Sequence, residues 1–467
     1  MNTSKSKEFI DYSWKQILDP LCEYIAIPAK SPAFDPNWES QGAIERAVQL
    51  IYDWCKEHAT EDWEVNVVRL EGRTPLIWIE IPGKGDSKVL LYGHIDKQPE
   101  MTGWDSGLGP WKPVLSGDRL YGRGGADDGY AVFASVAALK ALHEQGIPHS
   151  PCSILIEACE ESGSYDLPFY IDHLAQVIGE PELVICLDSG CGNYEQLWCT
   201  TSLRGVVSGI LSVEVLDEGV HSGDAGGIVP SSFRLLRKAL SRLENEKTGE
   251  ILLNELKGEI PEDRIAQANL SGKILGQNVY RRFPFAESCS GDEEPAELIL
   301  KRTWGPSLEI TGASGLPSLE EAGNVLRPQT SAKLSIRIPP QINAERATRA
   351  VRRSLEASPE SGTRVSFSSE MAASGWNSPR LAPWLETSLR EASNTWFDRP
   401  AVMMGEGGTI PFMGMLGERY PNAQFVITGV LGPGSNAHGP NEFLHLPTAQ
   451  KLTGCIAQIL EFHQERS

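Results

Sequence analysis

The sequence contains no C-x-x-C pair, no stretch that concentrates Lys and Arg, and no run of the roughly 18 apolar residues that a membrane span needs. Its nine cysteines are therefore expected to be reduced and mostly buried. The formal net charge of -20 repels a phosphate backbone, so we expect no nucleic acid partner. The N-terminus, MNTSKSKEFIDYSWKQ, has lysines with no apolar run behind them, and we expect a cytoplasmic protein without a membrane partner.

The composition is that of a folded chain, with 40% hydrophobic and 22% charged residues. Because 467 residues exceed what one compact core usually accommodates, we expect two domains, or one large domain that carries an inserted second one. The sequence shows no internal repeat and no low-complexity tract.

The first part of the chain alternates between strand-like and helix-like patterns. The apolar segments WEVNVVRL, TPLIWIEIPG and SKVLLYGHID predict strands, and apolar residues at three- and four-residue spacings predict a helix over residues 126–146 that stops at Gly146. Two further apolar segments, SILIEACEE and LVICLDSG, are separated by a helical stretch. This alternation indicates an α/β fold, with a mixed sheet and helices on both of its faces.

The pattern changes near residue 204. Longer strand-like segments, VVSGILSVEVL and SAKLSIRIPP, are interrupted by the helix-forming stretches FRLLRKALSRLENE and AERATRAVRRSLEAS. From about residue 375, a helix-rich segment leads to the apolar strand QFVITGVL and a Gly-rich loop. We therefore predict a smaller α+β domain at residues 204–374, inserted into a larger domain formed by residues 1–203 and 375–467.

Residues with metal-binding chemistry lie at the ends of the predicted strands. His94 and Asp96 are two residues apart in GHIDKQPE, so both side chains leave one face of the strand. A metal-bound imidazole beside a carboxylate has this spacing, although a plain surface loop is the commoner explanation of such a pair. Asp127 and Asp128 follow a Gly-rich turn in RGGADDG, where two acids suit the N-terminal cap of a helix. Alternatively, the two carboxylate oxygens of Asp127 can bridge two cations.

Two adjacent acids, Glu160 and Glu161, follow another apolar strand. One of them can bind metal while the other faces a water as general base, and two solvated loop acids explain this pair equally well when it is taken alone. Asp188 ends a further strand, and His438 lies in a Gly- and Asn-rich loop. Ligands of open α/β sheets bind beyond the carboxyl ends of the strands, so this set of imidazoles and carboxylates predicts a hydrolytic pair of Zn or Mn ions.

Seven segments occur in the order typical of one enzyme family: GHIDKQPE, YGRGGADDG, EACEESGS, CLDSG, GVHSGDAGG, GEGGTIP and NAHGPNE. On these segments the chain resembles the dinuclear metallopeptidases that include aminoacylase, succinyl-diaminopimelate desuccinylase and bacterial glutamate carboxypeptidase. It is most similar to the carnosinase-like cytosolic dipeptidases. The resemblance implies a hydrolase that cleaves the amide bond of dipeptides or related small peptides, with the smaller domain serving as lid and dimerisation domain.

The resemblance also implies roles for individual residues. The implied metal ligands form two sets that share one residue: His94, Asp127 and Asp188 in the first, and Asp127, Glu161 and His438 in the second. The expected cofactors are two divalent metal ions, zinc first, with manganese or cobalt as alternatives. Glu160 matches the general base that takes a proton from water and passes it to the leaving amine, and Asp96 matches the acid that supports His94.

Three further matches lie outside these two sets. His221, in GVHSGDAGG, matches a histidine that reaches the active site of the partner subunit and stabilises the developing oxyanion, so the resemblance implies a homodimer. Arg337, in SIRIPP, and Thr409, in GGTIP, lie where the family binds a substrate carboxylate.

Two departures from the dipeptidase pattern remove positive charge near the pocket. Gly129 stands where the family has Lys after two aspartates, and Gly405 stands where it often has Arg before Glu-Gly-Gly. Neither position holds a metal ligand, so these changes bear on the substrate. An N-acyl-amino-acid deacylase with the same metal centre is therefore an alternative to a dipeptidase. A metal-binding homologue without activity is a third alternative, against which the presence of Glu160 argues.

Overall fold

The structure is a computed structural model that describes residues 1–286, 293–357 and 359–466. Eight cysteines within these ranges are free, and all of them except Cys22 are buried. Cys289 lies outside the described residues. Across the same ranges, the structure contains no helix with the length and apolar character needed to cross a membrane.

The helices are α1 (Thr3–Ala26), α2 (Trp38–Gln41), α3 (Ala43–His58), α4 (Tyr130–His143), α5 (Leu167–His173), α6 (Ala175–Ile178), α7 (Ser222–Ala225), α8 (Ser232–Leu240), α9 (Glu262–Leu275), α10 (Asn278–Arg281), α11 (Pro295–Trp304), α12 (Ala344–Leu355), α13 (Pro383–Phe397), α14 (Pro411–Arg419) and α15 (Leu446–Glu465). Shorter helical or irregular turns lie at Gly125–Gly129, Glu160–Ser162 and Asn254–Leu256.

The strands are β1 (Glu64–Val68), β2 (Leu76–Ile81), β3 (Lys88–His94), β4 (Val114–Ser116), β5 (Arg119–Tyr121), β6 (Cys152–Glu157), β7 (Pro181–Cys186), β8 (Trp198–Leu203), β9 (Gly205–Glu214), β10 (Val220–His221), β11 (Ser307–Ser314), β12 (Val325–Leu326), β13 (Gln329–Ile338), β14 (Arg364–Ala373), β15 (Trp376–Asn377), β16 (Val402–Glu406), β17 (Gln424–Ile427) and β18 (Phe443–His445).

Nine strands form the larger sheet, in the order β1-β2-β6-β3-β7-β17-β8-β15, with β16 paired to β8. The neighbours β6, β3, β7 and β17 are parallel to one another. The pairings of β1 with β2, β2 with β6, and β8 with β15 and β17 are antiparallel. The sheet is therefore mixed, as predicted, and the carboxyl ends of four strands meet at one edge.

Helices cover both faces of this sheet, which confirms the predicted fold class. On β3, Val89 and Leu91 belong to a core shared with α1, α3, α4, α13 and α15, whereas Leu90 and Tyr92 belong to a core shared with α5, α6 and α14. Successive side chains of a strand point to opposite faces, and here both faces are buried. The strand therefore shows a continuous apolar run in the sequence instead of an alternating one.

The helix predicted over residues 126–146 begins later than the pattern indicates. α4 starts at Tyr130, because Gly125–Gly129 forms an irregular turn in which Asp127 and Asp128 have non-helical backbone angles. Both aspartates are buried, at 5% and 0% exposure, so they do not act as solvent-facing caps. The helix ends at His143, and Gly146 then adopts a positive φ of 66° that favours glycine.

A second sheet is formed within the predicted smaller domain. Its four strands are antiparallel, in the order β11-β13-β9-β14, and α8 and α12 pack on one face. The chain leaves the larger sheet through Arg204, between β8 and β9, and returns at Gly375, directly before β15. These crossings lie next to the predicted domain limits, and the domain division itself stays a prediction.

Helices α9, α10 and α11 also lie within residues 204–374, but they pack against the larger sheet. Ala268, Leu275 and Ile299 form a buried cluster with Trp198 of β8 and Met404 of β16. Both strands belong to the larger sheet. Helices α9, α10 and α11 therefore cover the end of the larger sheet, next to β16, the strand that leads into the loop after Glu406.

Candidate metal centre

The predicted ligands gather at the edge where the parallel strands end. His94 is the last residue of β3, Asp188 follows β7, and Glu160 and Glu161 form a short turn after β6. His438 lies in the loop between β17 and β18, with a positive φ of 66°. Because β6, β3, β7 and β17 are parallel neighbours, their carboxyl ends bring together residues that are far apart in sequence.

Two groups of side chains meet at Asp127. His94 Nε2 lies 3.4 Å from Asp127 Oδ1 and 3.7 Å from Asp188 Oδ2. His438 Nε2 lies 2.9 Å from Asp127 Oδ2 and 3.4 Å from Glu161 Oε2. The ligand atoms within each group lie within 4.8 Å of one another. Each oxygen of the Asp127 carboxylate thus faces a different histidine.

The donor groups fit divalent metal ions. His94 Nε2 is buried and has no hydrogen-bond partner among the described residues, although it points at two carboxylates. Burial raises the pKa of Asp188 to about 7 and raises that of Glu161 well above its usual value. Buried acids at this density are stabilised when a cation neutralises them. A mixture of imidazole and carboxylate donors is the chemistry that suits Zn or Mn.

Asp96 organises the turn that carries the two glutamates. Its Oδ1 accepts a hydrogen bond from the backbone N–H of Glu160, and its Oδ2 accepts one from the backbone N–H of Glu161, both at 3.0 Å. The same Oδ1 lies 3.5 Å from His94 Nδ1, and the Asp96 side chain is fully buried. Asp96 therefore contacts both the imidazole and the backbone of the neighbouring acids.

Glu160 lies beside both groups of ligands without belonging to either. Its Oε2 is 4.0 Å from His94 Nε2, and the residue lines the adjacent cavity. Burial and the neighbouring Asp188 carboxylate raise the pKa of Glu160 well above its usual value. A carboxylate with a raised pKa next to a cavity has the properties of a proton-transfer group.

A cavity of about 290 Å³ opens onto this edge of the sheet, and its lining includes Asp127, Asp188 and Thr409. Arg337 of β13 donates a hydrogen bond from Nη1 to Thr409 Oγ1 at 2.9 Å, and Thr409 Oγ1 donates to the carbonyl oxygen of Arg204 at 2.6 Å. The structure thus joins Arg337 and Thr409, which are 72 residues apart in sequence, beside the metal-ligand groups.

His221 is the one predicted site residue that lies elsewhere. It ends the short strand β10, which pairs with β12, and it is exposed. It does not line the described part of the cavity beside the metal-ligand groups, which we call the catalytic cavity. Within one chain, therefore, His221 is separate from the other predicted residues.

Two further charged residues position the site, and the sequence analysis does not single them out. Arg123 Nη1 donates to Glu442 Oε2 at 2.6 Å, and Glu442 Oε1 accepts from the Gly124 backbone N–H at 2.9 Å. Both side chains are almost fully buried. This ion pair joins the loop of His438 to the turn of Asp127. The sequence signal that could have indicated this pair is one charged residue of opposite sign in each of two site segments, Arg123 in YGRGGADDG and Glu442 in NAHGPNE.

Comparison with known sequences agrees with this geometry. The sequence model of Peptidase family M20/M25/M40 matches residues 90–461. The chain is 25% identical over 393 residues to a cysteinylglycine-S-conjugate dipeptidase of Corynebacterium striatum, which covers 80% of this chain and 82% of that protein. It is 28% identical over 461 residues to the human beta-Ala-His dipeptidase, with coverage of 93% and 87% respectively.

Comparison with solved structures gives the same fold. The di-peptidase Dug1p from Saccharomyces cerevisiae matches with a TM-score of 0.78 and 23% sequence identity, over 99% of both chains. The family match covers more than half of the chain and contains every predicted metal ligand from His94 to His438. The chain therefore belongs to peptidase family M20/M25/M40.

Proposed function

We propose that this protein is a metal-dependent hydrolase that cleaves the amide bond of dipeptides or related small peptides. The observation that carries the proposal is Asp127, whose two carboxylate oxygens face two separate histidines, with Glu160 beside them. Family membership and the dipeptidases among its relatives support the same reaction.

The proposed cofactors are two divalent ions, with zinc expected and manganese or cobalt as alternatives. The residues that would hold them are His94, Asp127 and Asp188 for one ion, and Asp127, Glu161 and His438 for the other. When bound, such ions polarise a substrate carbonyl and make water more acidic.

Glu160 is the proposed general base. In this role its carboxylate accepts a proton from the attacking water and later donates that proton to the leaving amine. Asp96 is a positioning residue, since it binds the Glu160 backbone and lies beside His94.

Arg337 and Thr409 are proposed to bind a carboxylate of the substrate. The guanidinium offers several donors, of which one is used on Thr409. Because Arg337 comes from the smaller sheet and Thr409 from the loop after β16, this contact also supports residues 204–374 as a lid over a catalytic domain of residues 1–203 and 375–467. Closure of such a lid excludes water from the reaction.

We further propose a homodimer in which His221 of the partner subunit donates to the developing oxyanion. The exposure of His221 and its absence from the described cavity lining support this arrangement. Val325, which pairs with His221 in the short sheet, is exposed at 40%, and the apolar side chains of Ile228 and Leu319 are exposed at 83% and 92%. Such a surface suits burial against a second copy. A cytoplasmic location is part of the same proposal, and the eight free cysteines support it.

The test is hydrolysis of a panel of dipeptides and N-acyl amino acids by protein reconstituted with Zn or Mn and assayed for bound metal. Cleavage of dipeptides is the expected result. Cleavage of acyl compounds alone would keep the chemistry and replace the dipeptidase by a deacylase, the alternative left open by Gly129 and Gly405. Metal-loaded protein that cleaves neither class would favour a non-catalytic homologue.

A further inference from the structure

A second cavity, of about 280 Å³, adjoins the catalytic cavity. The two share Cys191 and Arg282 in their linings. The polar side chains of the second cavity are strongly biased to positive charge and amides, and they are Arg281, Arg282, Arg302, Asn193 and Asn278. Among its described lining residues there is no acid. In a chain with a formal net charge of -20, such a concentration of guanidinium groups is unusual and indicates an anion-binding function.

These arginines form no ion pair with the described parts of the protein. Neither Arg282 nor Arg302 has a carboxylate oxygen within 4.0 Å there, and the Arg282 side chain makes no hydrogen bond to those residues. Nε of Arg302 is buried and has no hydrogen-bond partner among the described residues, and its Nη2 lies 3.8 Å from the sulfur of Met404. A buried donor without an acceptor is unfavourable unless a ligand supplies one.

The two guanidinium groups also act on each other. Burial and the charge of Arg302 lower the pKa of Arg282. Glu406 and Cys191 act in the opposite direction, but their effects on this pKa are smaller. Two cations held close together are stabilised by an anion between or beside them. Arginine suits this role because its planar donors match the two oxygens of a carboxylate.

Helix α11, which carries Arg302, also explains why position 405 is glycine. A Cβ atom at Gly405 would lie 2.5 Å from Ser202 Oγ and 2.9 Å from Thr303 Cβ, so a larger side chain cannot fit there. Thr303 is the neighbour of Arg302 on α11. Helix α11 therefore leaves no room for a side chain at position 405, and it also brings Arg302 to the second cavity.

We propose that Arg282 and Arg302 form an anion subsite beside the metal centre, and that the preferred substrates are dipeptides with an acidic side chain. This inference rests on the proposed dipeptidase function. The anion proposed for this subsite is the acidic side chain of the substrate. The terminal carboxylate is assigned to Arg337 and Thr409, which do not line the described part of the second cavity. A substrate with two carboxylates would therefore use both sites.

The experiment compares peptides that differ only in charge. kcat/KM is measured for the pairs Glu-Ala and Gln-Ala, and Ala-Glu and Ala-Gln, with wild type, Arg282→Gln, Arg302→Gln and Arg390→Gln. The last variant is the matched control, since Arg390 is an exposed residue of α13 that is absent from the described lining of both cavities. Wild type is expected to prefer the acidic peptide of one pair by about ten- to a hundredfold, the range of a charge-assisted hydrogen bond.

Arg282→Gln is expected to remove most of that preference, because KM for the acidic peptide rises far more than KM for its neutral counterpart. The inference is overturned if wild type cleaves neutral and acidic peptides equally, or if both arginine variants keep the preference; in either case cleavage of neutral peptides leaves the proposed function intact. If Arg302→Gln does not fold, Arg282→Gln decides alone. The Arg282 side chain makes no hydrogen bond to the described residues, so its replacement removes no contact of this kind from the fold.

A binding measurement covers the case in which no peptide is cleaved. Calorimetry then compares Glu-Ala with Gln-Ala, and Ala-Glu with Ala-Gln, on metal-loaded wild type and Arg282→Gln. Tighter binding of an acidic peptide that is lost in Arg282→Gln supports the subsite although the proposed hydrolysis has failed. Equal binding of both members of each pair overturns the subsite as well.

Discussion

The backbone N–H of Glu160 donates a hydrogen bond to Oδ1 of Asp96 at 3.0 Å. Oδ2 of the same carboxylate accepts the backbone N–H of Glu161, so one buried side chain fixes two adjacent acids with different proposed roles. Oδ1 also lies 3.5 Å from His94 Nδ1. Asp96 therefore couples the position of the proposed general base, Glu160, to that of a proposed metal ligand, His94.

Replacement of this carboxylate is expected to weaken the site without removing any ligand. Asp96→Asn keeps the size of the side chain and one acceptor oxygen, but it exchanges the other acceptor for a donor that faces a backbone N–H. We expect activity or metal affinity to fall by about 10- to 100-fold, the effect usual for residues that support a metal-bound histidine. The measurements are kcat and metal affinity, with Asp11→Asn, an exposed acid of α1, as control. Unchanged values for Asp96→Asn would contradict the positioning role.

The adjacent glutamates provide a matched pair of substitutions. Glu160→Gln is expected to keep both metal ions and to lose about 10²- to 10⁴-fold in kcat, because a proton-transfer group is removed. Glu161→Gln is expected to lower the metal content instead, because Glu161 Oε2 faces His438 at 3.4 Å in the second ligand group. Metal analysis of each purified variant, together with kcat, separates the two roles. Loss of metal in Glu160→Gln, or full metal content and activity in Glu161→Gln, would show that the assignments are wrong.

Much of this site could be predicted because strand ends are visible in the sequence. The apolar run before His94 identifies β3, and the runs before Glu160 and Asp188 identify β6 and β7. Parallel neighbours then place their carboxyl ends together, whatever the sequence separation. The fold class follows from the same runs, since both faces of β3 are buried.

Other features depend on tertiary contacts that leave a weaker trace. The start of α4 is displaced to Tyr130 because Asp127 turns into the site, and local helix propensity does not report that contact. The Arg123–Glu442 pair joins segments 319 residues apart. The packing of α11 against β16, which places Arg302 at the second cavity, is equally invisible to periodicity.

Removal of the metal ions is expected to make stability depend more strongly on pH. Burial raises the pKa of Asp188 from 3.8 to about 7, and it also raises the pKa values of Glu160 and Glu161. Between pH 3.8 and about 7 the folded, metal-free protein therefore holds more protons than the unfolded chain. The stability that these protons contribute is present at low pH and is lost as pH rises through the folded-state pKa values.

Urea unfolding of metal-free protein at several pH values measures this effect. The free energy of unfolding is expected to fall across the window by more than about 1.4 kcal/mol, the equivalent of one pKa unit. Asp188→Asn removes one of the titrating groups, so its decline should be smaller. Metal-loaded protein should show a smaller decline, because cations replace the protons of the ligand carboxylates, whereas the buried acids Glu157 and Glu442 still titrate. A metal-free protein that becomes more stable over the same window would contradict this account of the buried acids.

Mixing two inactive variants tests whether His221 acts across a dimer interface. His221→Ala and Glu160→Gln are each expected to be nearly inactive, because each removes one group from every site. In a mixed dimer, the site with an intact Glu160 receives His221 of the partner subunit, so one of its two sites is complete. Random exchange of subunits makes half of the dimers mixed, and activity should recover to about a quarter of the wild-type value. No recovery after subunit exchange, verified by mass spectrometry of differently tagged chains, would mean that His221 does not complete the partner's site.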